Sequence, residues 1–187
     1  MQVVRKPQID AQTLRGASVA IGNFDGVHRG HAHVIEMARR PGHPAGVLTF
    51  EPHPREVFAP SGPPFRLMNA EARAHRLTKL GLDLLIELPF VPALSQLSHE
   101  VFARHILARG LGLKHVVVGE DFCFGQGRTG TADMLKDFGA GMGFEVSIAE
   151  LLTGELGAVS ATAIRQALSD GKPRDAAAML GHWHRIE

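Results

Sequence analysis

The sequence predicts a doubly wound α/β domain built on a parallel sheet. Short apolar runs of strand length, at 45–50 and 115–118 for example, alternate with segments in which apolar residues recur at helical spacing. Strands that alternate with helices pair in parallel through right-handed crossovers, although the strand order does not follow from this. At 187 residues, the chain is long enough to bury one full hydrophobic core.

Local signals define the elements. Asn69 and Ser98 are typical helix caps, and Gly181 is typical of the residue that follows a helix. We interpret the Met and Phe residues at 134–142 as core packing. The expected strands are 19–21, 45–50, 82–88, 115–118 and 144–148, and the expected helices are 31–40, 69–80, 98–110, 134–142, 162–168 and 174–180.

Composition excludes several classes of protein. The chain is 44% apolar and 21% charged, with a net charge of +1 and no run of Lys or Arg, which does not fit a nucleic-acid binder. No segment has the length and apolarity of a membrane span or of a leader peptide. Cys123 is the single cysteine, so an intrachain disulfide is impossible. We expect a soluble cytoplasmic protein with no nucleic-acid or membrane partner; its oligomeric state stays open.

The first strand runs into a glycine-containing turn at 22–26, and a helix follows Gly30. The first amides of such a helix are unpaired and its dipole is positive there, so this arrangement favours a bound anion. His28 and His31 flank Gly30, whose small size would let a ligand approach the backbone. The pattern predicts a phosphate site, although with 11 histidines in the chain a chance pair is the alternative.

The second strand runs into Glu51-Pro52-His53-Pro54-Arg55. Two prolines in three residues are expected to hold this stretch extended and rigid. A simple strand terminator is the alternative, but ligands of open α/β sheets bind beyond the carboxyl ends of their strands.

The loop at 119–130 contains a literal G-x-G-x-x-G, formed by Gly125, Gly127 and Gly130. Glu145 follows at about the spacing of a dinucleotide fingerprint. We reject that interpretation because the first Gly must lie at the strand end and because Glu145 is placed early in its strand. The same loop offers two aromatic rings, an acceptor and a cation for phosphate, and one of its rings is expected to plug the core.

The segment GNFDGVHRGH at 22–31 resembles the HxGH signature of nucleotidyltransferases. In this form it is similar to the FMN adenylyltransferase module of bacterial bifunctional riboflavin kinase/FAD synthetases. FEPHP at 50–54, the P-x-R-L element at 64–67, the loop at 116–130 and VSATAIR at 159–165 follow in the family's order. Three residues depart from the family pattern: Met68, Cys123 and Ala161.

The resemblance implies a Rossmann-like sheet of the nucleotidyltransferase type, with an FMN adenylyltransferase domain at 1–181. Residues 182–187 would begin a linker towards a riboflavin kinase module that is absent from these residues. The implied reaction joins FMN to the AMP part of ATP, giving FAD and pyrophosphate, and Mg²⁺ would arrive with ATP. The alternatives are a nucleotidyltransferase with another phosphate acceptor, and a nucleotide-binding module or flavin sensor.

The resemblance also implies site residues, while their ordinary structural roles stay open; Ser160 or Thr162, for instance, would cap a helix in any protein. No metal ligand is assigned. The implied catalytic residues are His28, His31 and Arg165; ATP would also contact Gly22, Asn23, Phe24, Asp25, Gly26, Ser160 and Thr162; the flavin would contact Phe50, Pro52, His53, Pro54, Asp121, Phe122, Phe124 and Arg128.

Overall fold

The computed structural model describes residues 1–5, 14–154 and 157–184. Within them, six strands form one sheet in the order β1-β4-β3-β2-β5-β8, and every neighbouring pair is parallel. Two short antiparallel pairs, β6 with β7 and β9 with β10, lie outside this sheet. The strands are β1 Gln2–Val4, β2 Ser18–Ile21, β3 Ala45–Glu51, β4 Leu84–Pro89, β5 His115–Gly119, β6 Cys123–Phe124, β7 Gly130–Thr131, β8 Glu145–Ala149, β9 Thr153–Gly154 and β10 Gly157–Ala158.

Helices connect the strands and cover the sheet. One of them, α5, continues as a π-helical segment, Phe102–Gly110, and a 3₁₀ turn occupies Gln126–Arg128. No helix in the described part of the chain is long and apolar enough to cross a membrane. The helices are α1 Arg29–Met37, α2 Pro54–Phe58, α3 Ala70–Lys79, α4 Pro92–Ser95, α5 His99–Val101, α6 Ala132–Met142, α7 Ala161–Ser169 and α8 Pro173–Leu180.

The hydrophobic core has two main layers, one on each face of the sheet. Neighbouring residues of β3 point to opposite faces, as strand geometry requires: Val47 packs with α1 and α3, and Leu48 packs with the π-helical segment and α6. A third, smaller cluster joins α7 and α8 around Ile164 and Leu180. Of the helices that carry the candidate site, α1 therefore packs on one face of the sheet, and α7 packs with α8 in the third cluster.

The α/β architecture and the five expected strands are confirmed. The caps at Asn69 and Ser98 are also confirmed, since each side chain accepts a backbone N–H in the first turn of its helix. The sequence did not predict β1, a three-residue strand of which only Val4 is buried. The expected helix at 31–40 ends earlier, at Met37.

The expectation of an extended stretch at 51–55 is wrong from Pro54 onward. Pro54 is the first residue of α2, and proline is well suited to that position because the amide it lacks would be unpaired there. The proposed boundary at 181 stays a prediction. Residues 185–187 of the expected linker, like 6–13 and 155–156 of the expected domain, lie outside the described residues.

The carboxyl edge of the sheet gathers the predicted motifs. Because β2, β3 and β5 are parallel neighbours, the turn after Ile21, the segment after Glu51 and the loop after Gly119 all leave the sheet from this edge. The chain passes from β2 to β3 on one side, and β5 lies on the other. Such a switch point is where open α/β sheets form their ligand crevice.

Candidate active site

The turn at 22–28 has an unusual backbone. Phe24 and Val27 both have positive φ, 50° and 41°, a region that side chains rarely adopt, and a β-branched one least of all. Both side chains are 1% exposed and pack in the core between the sheet and α1. Their burial holds the turn in this conformation, which is the kind of local strain found at functional sites. Phe24 therefore anchors the turn and presents almost no surface of its own.

His28 and His31 form a stacked pair at the start of α1. Their ring centroids are 3.6 Å apart and the ring planes differ by 18°. His28 caps the helix, because its Nδ1 accepts the backbone N–H of His31 at 3.2 Å. When this nitrogen is an acceptor, a neutral His28 carries its proton on Nε2, which is then a donor for a ligand.

Burial keeps both imidazoles neutral. It lowers the pKa of His28 to about 4, with a further contribution from the positive charge of Arg165. It also lowers the pKa of His31 well below its usual value, and the neighbouring His28 adds to this effect. Among the described residues, Nδ1 of His31 is buried and has no hydrogen-bond partner. Such an orphaned polar atom requires an explanation, and a ligand of this cleft would supply a partner.

Gly30 lies in a tightly packed place. A Cβ at this position would lie 3.1 Å from Nδ1 of His28 and 3.1 Å from the carbonyl oxygen of Val159. The close neighbours of Gly30 are thus the first histidine and the segment that precedes α7, which refines the expectation that its small size serves ligand approach. The same contact places the amino end of α7 beside that of α1.

Both carboxylate oxygens of Asp25 accept hydrogen bonds from other parts of the protein. Its Oδ1 accepts the backbone N–H groups of Leu67 at 2.9 Å and Met68 at 3.2 Å. Its Oδ2 accepts from Nη2 of Arg165 at 2.5 Å. These bonds join the turn, the P-x-R-L segment and α7, so Asp25 acts here as a brace of the site.

Arg165 faces the turn from α7. Besides the bond to Asp25, its Nε donates to the carbonyl oxygen of Phe65 at 2.7 Å, and its guanidinium lies 5.3 Å from the centre of the Phe65 ring. Its side chain keeps a quarter of its surface exposed. Ser160 caps α7 by accepting the N–H of Ala163 at 3.1 Å, and Thr162 is exposed in the first turn. The ordinary capping role of Ser160 is confirmed.

An ion-pair network, which sequence reasoning missed, fixes the segment after β3. Glu51 accepts from Arg66 at 2.8 Å and from Arg73 at 2.9 Å. Arg73 is almost fully buried and also donates to Glu87 at 3.1 Å, and Arg66 pairs with Glu56 as well. Burial would raise the pKa of Glu51, but the hydrogen bonds and charges of Arg66 and Arg73 lower it. The spacing of these residues in the sequence gave no signal of the network.

His53 is held against this network. It is buried and caps α2, with Nδ1 accepting the N–H of Arg55 at 3.1 Å. Its ring meets the edge of the Phe65 ring at 4.9 Å, and its pKa is lowered, mainly by burial. The Glu51–Pro52 peptide bond is cis. Of the predicted flavin residues here, Pro52 is exposed, while Phe50 and Pro54 are half-buried.

The two aromatic rings of the 119–130 loop have different surroundings. Phe124 is buried and packs against Phe102 at a centroid distance of 5.8 Å, so the expected core plug is this ring. Phe122 stacks on it at 5.6 Å and remains half-buried. Of the two, Phe122 therefore presents the larger ring surface to a ligand. Asp121 and Arg128 are both exposed.

The geometry of this loop agrees with our rejection of a dinucleotide fingerprint. Strand β5 ends at Gly119, well before Gly125, and Glu145 is the first residue of β8. A Cβ at Gly125 would lie 2.5 Å from the backbone nitrogen of His99, so close chain packing requires this glycine. The glycines serve the fold of the loop.

A protein-held metal does not fit the residues present. Among the described residues, no group of three His, Cys, Asp or Glu side chains could hold a metal ion. The nearest carboxylate on the turn, Asp25, is already bound to two amides and a guanidinium. We therefore derive no catalytic step from a metal held by the protein alone.

Two curated proteins are similar to this chain in sequence. A bifunctional riboflavin kinase/FMN adenylyltransferase from Pseudomonas fluorescens is 40% identical over 190 residues, covering 100% of this chain and 61% of that protein. The protein of the same name from Escherichia coli K12 is 35% identical over 171 residues, covering 89% and 55%. The chain thus spans little more than half the length of these relatives.

Solved structures agree on the fold. A Streptococcus pneumoniae protein described as a macrolide-efflux protein superposes with a TM-score of 0.81 at 30% identity, covering 97% of this chain and 62% of that one. A pantoate-beta-alanine ligase from Francisella tularensis superposes with a TM-score of 0.58 at 10% identity, covering 96% and 86%. A sequence model of the FAD synthetase family matches residues 10–163. The chain belongs to the FAD synthetase family.

Proposed function

We propose that this chain is an FMN adenylyltransferase, which converts FMN and ATP into FAD and pyrophosphate. Family membership supports this reaction. The observation that carries it is the stacked, neutral pair of His28 and His31 at the amino end of α1. One buried nitrogen of this pair has no hydrogen-bond partner among the residues that the structure describes. A triphosphate in this crevice would meet the helix amides and both imidazoles.

In the proposed reaction, a phosphate oxygen of FMN attacks the α-phosphorus of ATP. The bond between that phosphorus and the bridging oxygen towards the β-phosphorus breaks, and pyrophosphate leaves with the bonding electrons. The FMN phosphate is already anionic, so no general base is required. The protein must align the two phosphates and offset the charge that builds up on pyrophosphate.

Three side chains are proposed for this electrostatic work. His28 would donate from Nε2, since its Nδ1 is used in capping α1. His31 would bind through the nitrogen that is orphaned here, and Arg165 would add its positive charge from α7. Among the ATP residues, Gly22, Asn23 and Gly26 are proposed to contribute backbone, and Ser160 and Thr162 the start of α7. Phe24 and Asp25 would support the turn from within.

The flavin is proposed to lie between the segment after β3 and the 119–130 loop. Phe122 offers ring surface there, and Phe124 supports it from the core. Phe50, Pro52, His53 and Pro54 would line the other side, with Asp121 and Arg128 at the rim. Mg²⁺ is proposed to arrive bound to the phosphates of ATP, and the cytoplasm is the proposed compartment.

Product analysis tests this proposal. The protein is mixed with ATP, Mg²⁺ and either FMN, riboflavin or phosphopantetheine, and the products are separated by chromatography. We expect FAD from FMN, and no FMN or FAD from riboflavin, because the sequence has no G-x-x-x-x-G-K-[ST] loop for phosphorylation. The His28→Ala/His31→Ala variant is the matched control.

Two outcomes would contradict the proposal. Adenylylation of phosphopantetheine in place of FMN would assign the same chemistry to another acceptor. Saturable FMN binding without FAD would indicate a flavin-binding module or sensor.

A further inference from the structure

The structure has a cleft beside Gly26 of the turn at 22–28. This rear cleft, of about 590 Å³, lies between α3, the carboxyl end of α8 and residues 182–184. Gly26, which is also proposed as a backbone contact of ATP, and Leu67 line it, so the rear cleft adjoins the candidate active site, but none of the proposed catalytic residues His28, His31 and Arg165 lines it. Its volume is within the range typical of small-molecule sites.

The side of the rear cleft formed by α3 is cationic. Arg76 and Lys79 line it, together with His75, and Glu71 is the one acidic residue in the lining. Within the described part of the chain, Nε of Arg76 is buried and has no hydrogen-bond partner. A buried guanidinium nitrogen without a partner is costly, and an anion in the cleft would provide one.

Residues 182–184 form the opposite wall and supply an aromatic surface. Trp183 lines the cleft and is 67% exposed, a large apolar area for a residue on a cleft wall. His184 donates from Nε2 to the carbonyl oxygen of Leu67 at 3.1 Å, which fixes this segment beside Leu67.

His182 also lines the rear cleft and contacts the turn beside it. Its Nε2 lies 3.0 Å from the carbonyl oxygen of Gly26, and its Nδ1 lies 3.0 Å from that of Trp183. The contact with Gly26 fastens residues 182–184 to the turn at 22–28.

From these contacts, we propose that the rear cleft is a second binding site, which takes a small molecule with a planar heteroaromatic ring and a phosphate group. The ring stacks on Trp183, and the phosphate is bound by Arg76 and Lys79. Size, an aromatic wall and a cationic wall with an unpaired buried nitrogen together favour this class of ligand over a purely apolar one. The proposal does not depend on the adenylyltransferase reaction.

The chain offers a clean probe for this site. It contains one tryptophan and no tyrosine, so its emission reports on Trp183 alone. AMP, which joins a purine to one phosphate, is titrated while the emission is followed. We expect saturable quenching in the wild type and in the His28→Ala/His31→Ala variant, whose altered residues lie at the other site. Inorganic phosphate alone should compete with AMP without quenching.

Charge variants locate the ligand. Lys79→Gln changes an exposed side chain, and Arg76→Gln/Lys79→Gln removes both cations; each is expected to weaken AMP binding, the pair by about tenfold or more, as for lost charge-assisted bonds. Lys114→Gln/Lys136→Gln removes the same charge from exposed positions outside the cleft and should leave binding unchanged.

Two results would overturn the proposal. The first is that AMP does not change the fluorescence emission of the wild type. In that case the remaining candidate ligand of the rear cleft would be a polypeptide segment. The second is quenching that is lost in the His28→Ala/His31→Ala variant and kept in Lys79→Gln, which would place AMP at the active-site turn.

Discussion

The two ends of the central strands contain buried histidines with opposite surroundings. At the amino end, His115 of β5 is 1% exposed, and both ring nitrogens have partners: Ser18 Oγ at 2.7 Å and Ser147 Oγ at 2.8 Å. At the carboxyl end, His31 keeps a buried nitrogen without a partner among the described residues. Burial lowers the pKa of both groups, to about 4 for His115, with Arg40 as a further cause.

This difference separates a structural histidine from a binding one. His115 joins three neighbouring strands through two hydroxyl groups and has no hydrogen-bonding capacity left for a ligand. The pair at the carboxyl end leaves hydrogen-bonding capacity unused, which costs stability and is retained where a ligand completes it. A lowered histidine pKa is found at both ends of the strands. The two kinds of histidine therefore differ in whether their ring nitrogens have hydrogen-bond partners.

The largest expected effect tests the carboxyl end. Replacing His28 and His31 with Ala should lower the rate of FAD formation by roughly a hundredfold or more, because such groups act mainly on the charge of the transition state. The variant should also lose about 1 kcal/mol of stability, because His28 caps α1, so turnover is compared at a temperature at which urea unfolding shows both proteins to be folded. Turnover close to that of the wild type would assign these rings a packing role.

The aromatic pair of the neighbouring loop shows a similar contrast on a smaller scale. Phe124→Ala should destabilise the protein by about 3–5 kcal/mol, because it empties a core position. Phe122→Ala should weaken FMN binding and leave ATP binding and the melting temperature nearly unchanged. Urea unfolding and flavin titration of both variants distinguish the two roles. Equal effects of the two substitutions on FMN affinity would contradict the assignment.

The amino end is tested by His115→Ala. We expect a loss of about 2–4 kcal/mol in the free energy of unfolding, because the change leaves a cavity and two hydroxyl groups without their partner. The turnover of the folded variant should equal that of the wild type, since the residue lies at the far edge of the sheet. A fall in kcat at unchanged stability would mean that His115 communicates with the active site.

Acid should lower the stability of the protein through the histidines at both ends. Folding lowers the pKa of His28, His31 and His115, so the unfolded chain binds more protons as pH falls below about 6.5. The stability contributed by their neutral forms is present above that pH and is lost as pH falls towards 4. Denaturant midpoints between pH 7.5 and 4.5 measure this slope, and His115→Ala should reduce it. If the pH dependence of the denaturant midpoint were the same in His115→Ala, His115 would not contribute to the loss of stability in acid.

Ligand binding should distinguish the two ends even at constant pH. The phosphates of ATP favour the imidazolium form, yet two rings stacked at 3.6 Å cannot both carry a charge at low cost. Binding should therefore take up at most one proton, and only at the carboxyl end. Titration calorimetry of ATP binding in two buffers of different ionisation enthalpy measures the number of protons taken up. Uptake should disappear in His31→Ala and persist in His115→Ala.

The sequence predicted the fold well because strands and helices repeat a local pattern. Five strands, the caps at Asn69 and Ser98 and the glycine turn all follow from neighbouring residues. The histidine pair was also predictable, since cap and helix geometry place residues at i and i+3 on one face.

What the sequence did not predict depends on distant contacts. The brace at Asp25 and the ion pairs of Glu51 with Arg66 and Arg73 need the folded positions of several segments. The same is true of which ring, Phe122 or Phe124, enters the core. The residues that surround each of these positions in the sequence do not indicate which distant residue it will contact.

The brace between Asp25 and Arg165 also has a consequence for biosynthesis. The two residues are 140 positions apart in sequence. During translation at about 5–20 residues per second, the turn that carries the histidines emerges many seconds before the arginine that secures it. A chain interrupted in that interval would contain the HxGH segment without its counterion. Prematurely terminated chains would thus be inactive, and FAD formation would begin only when α7 has been made.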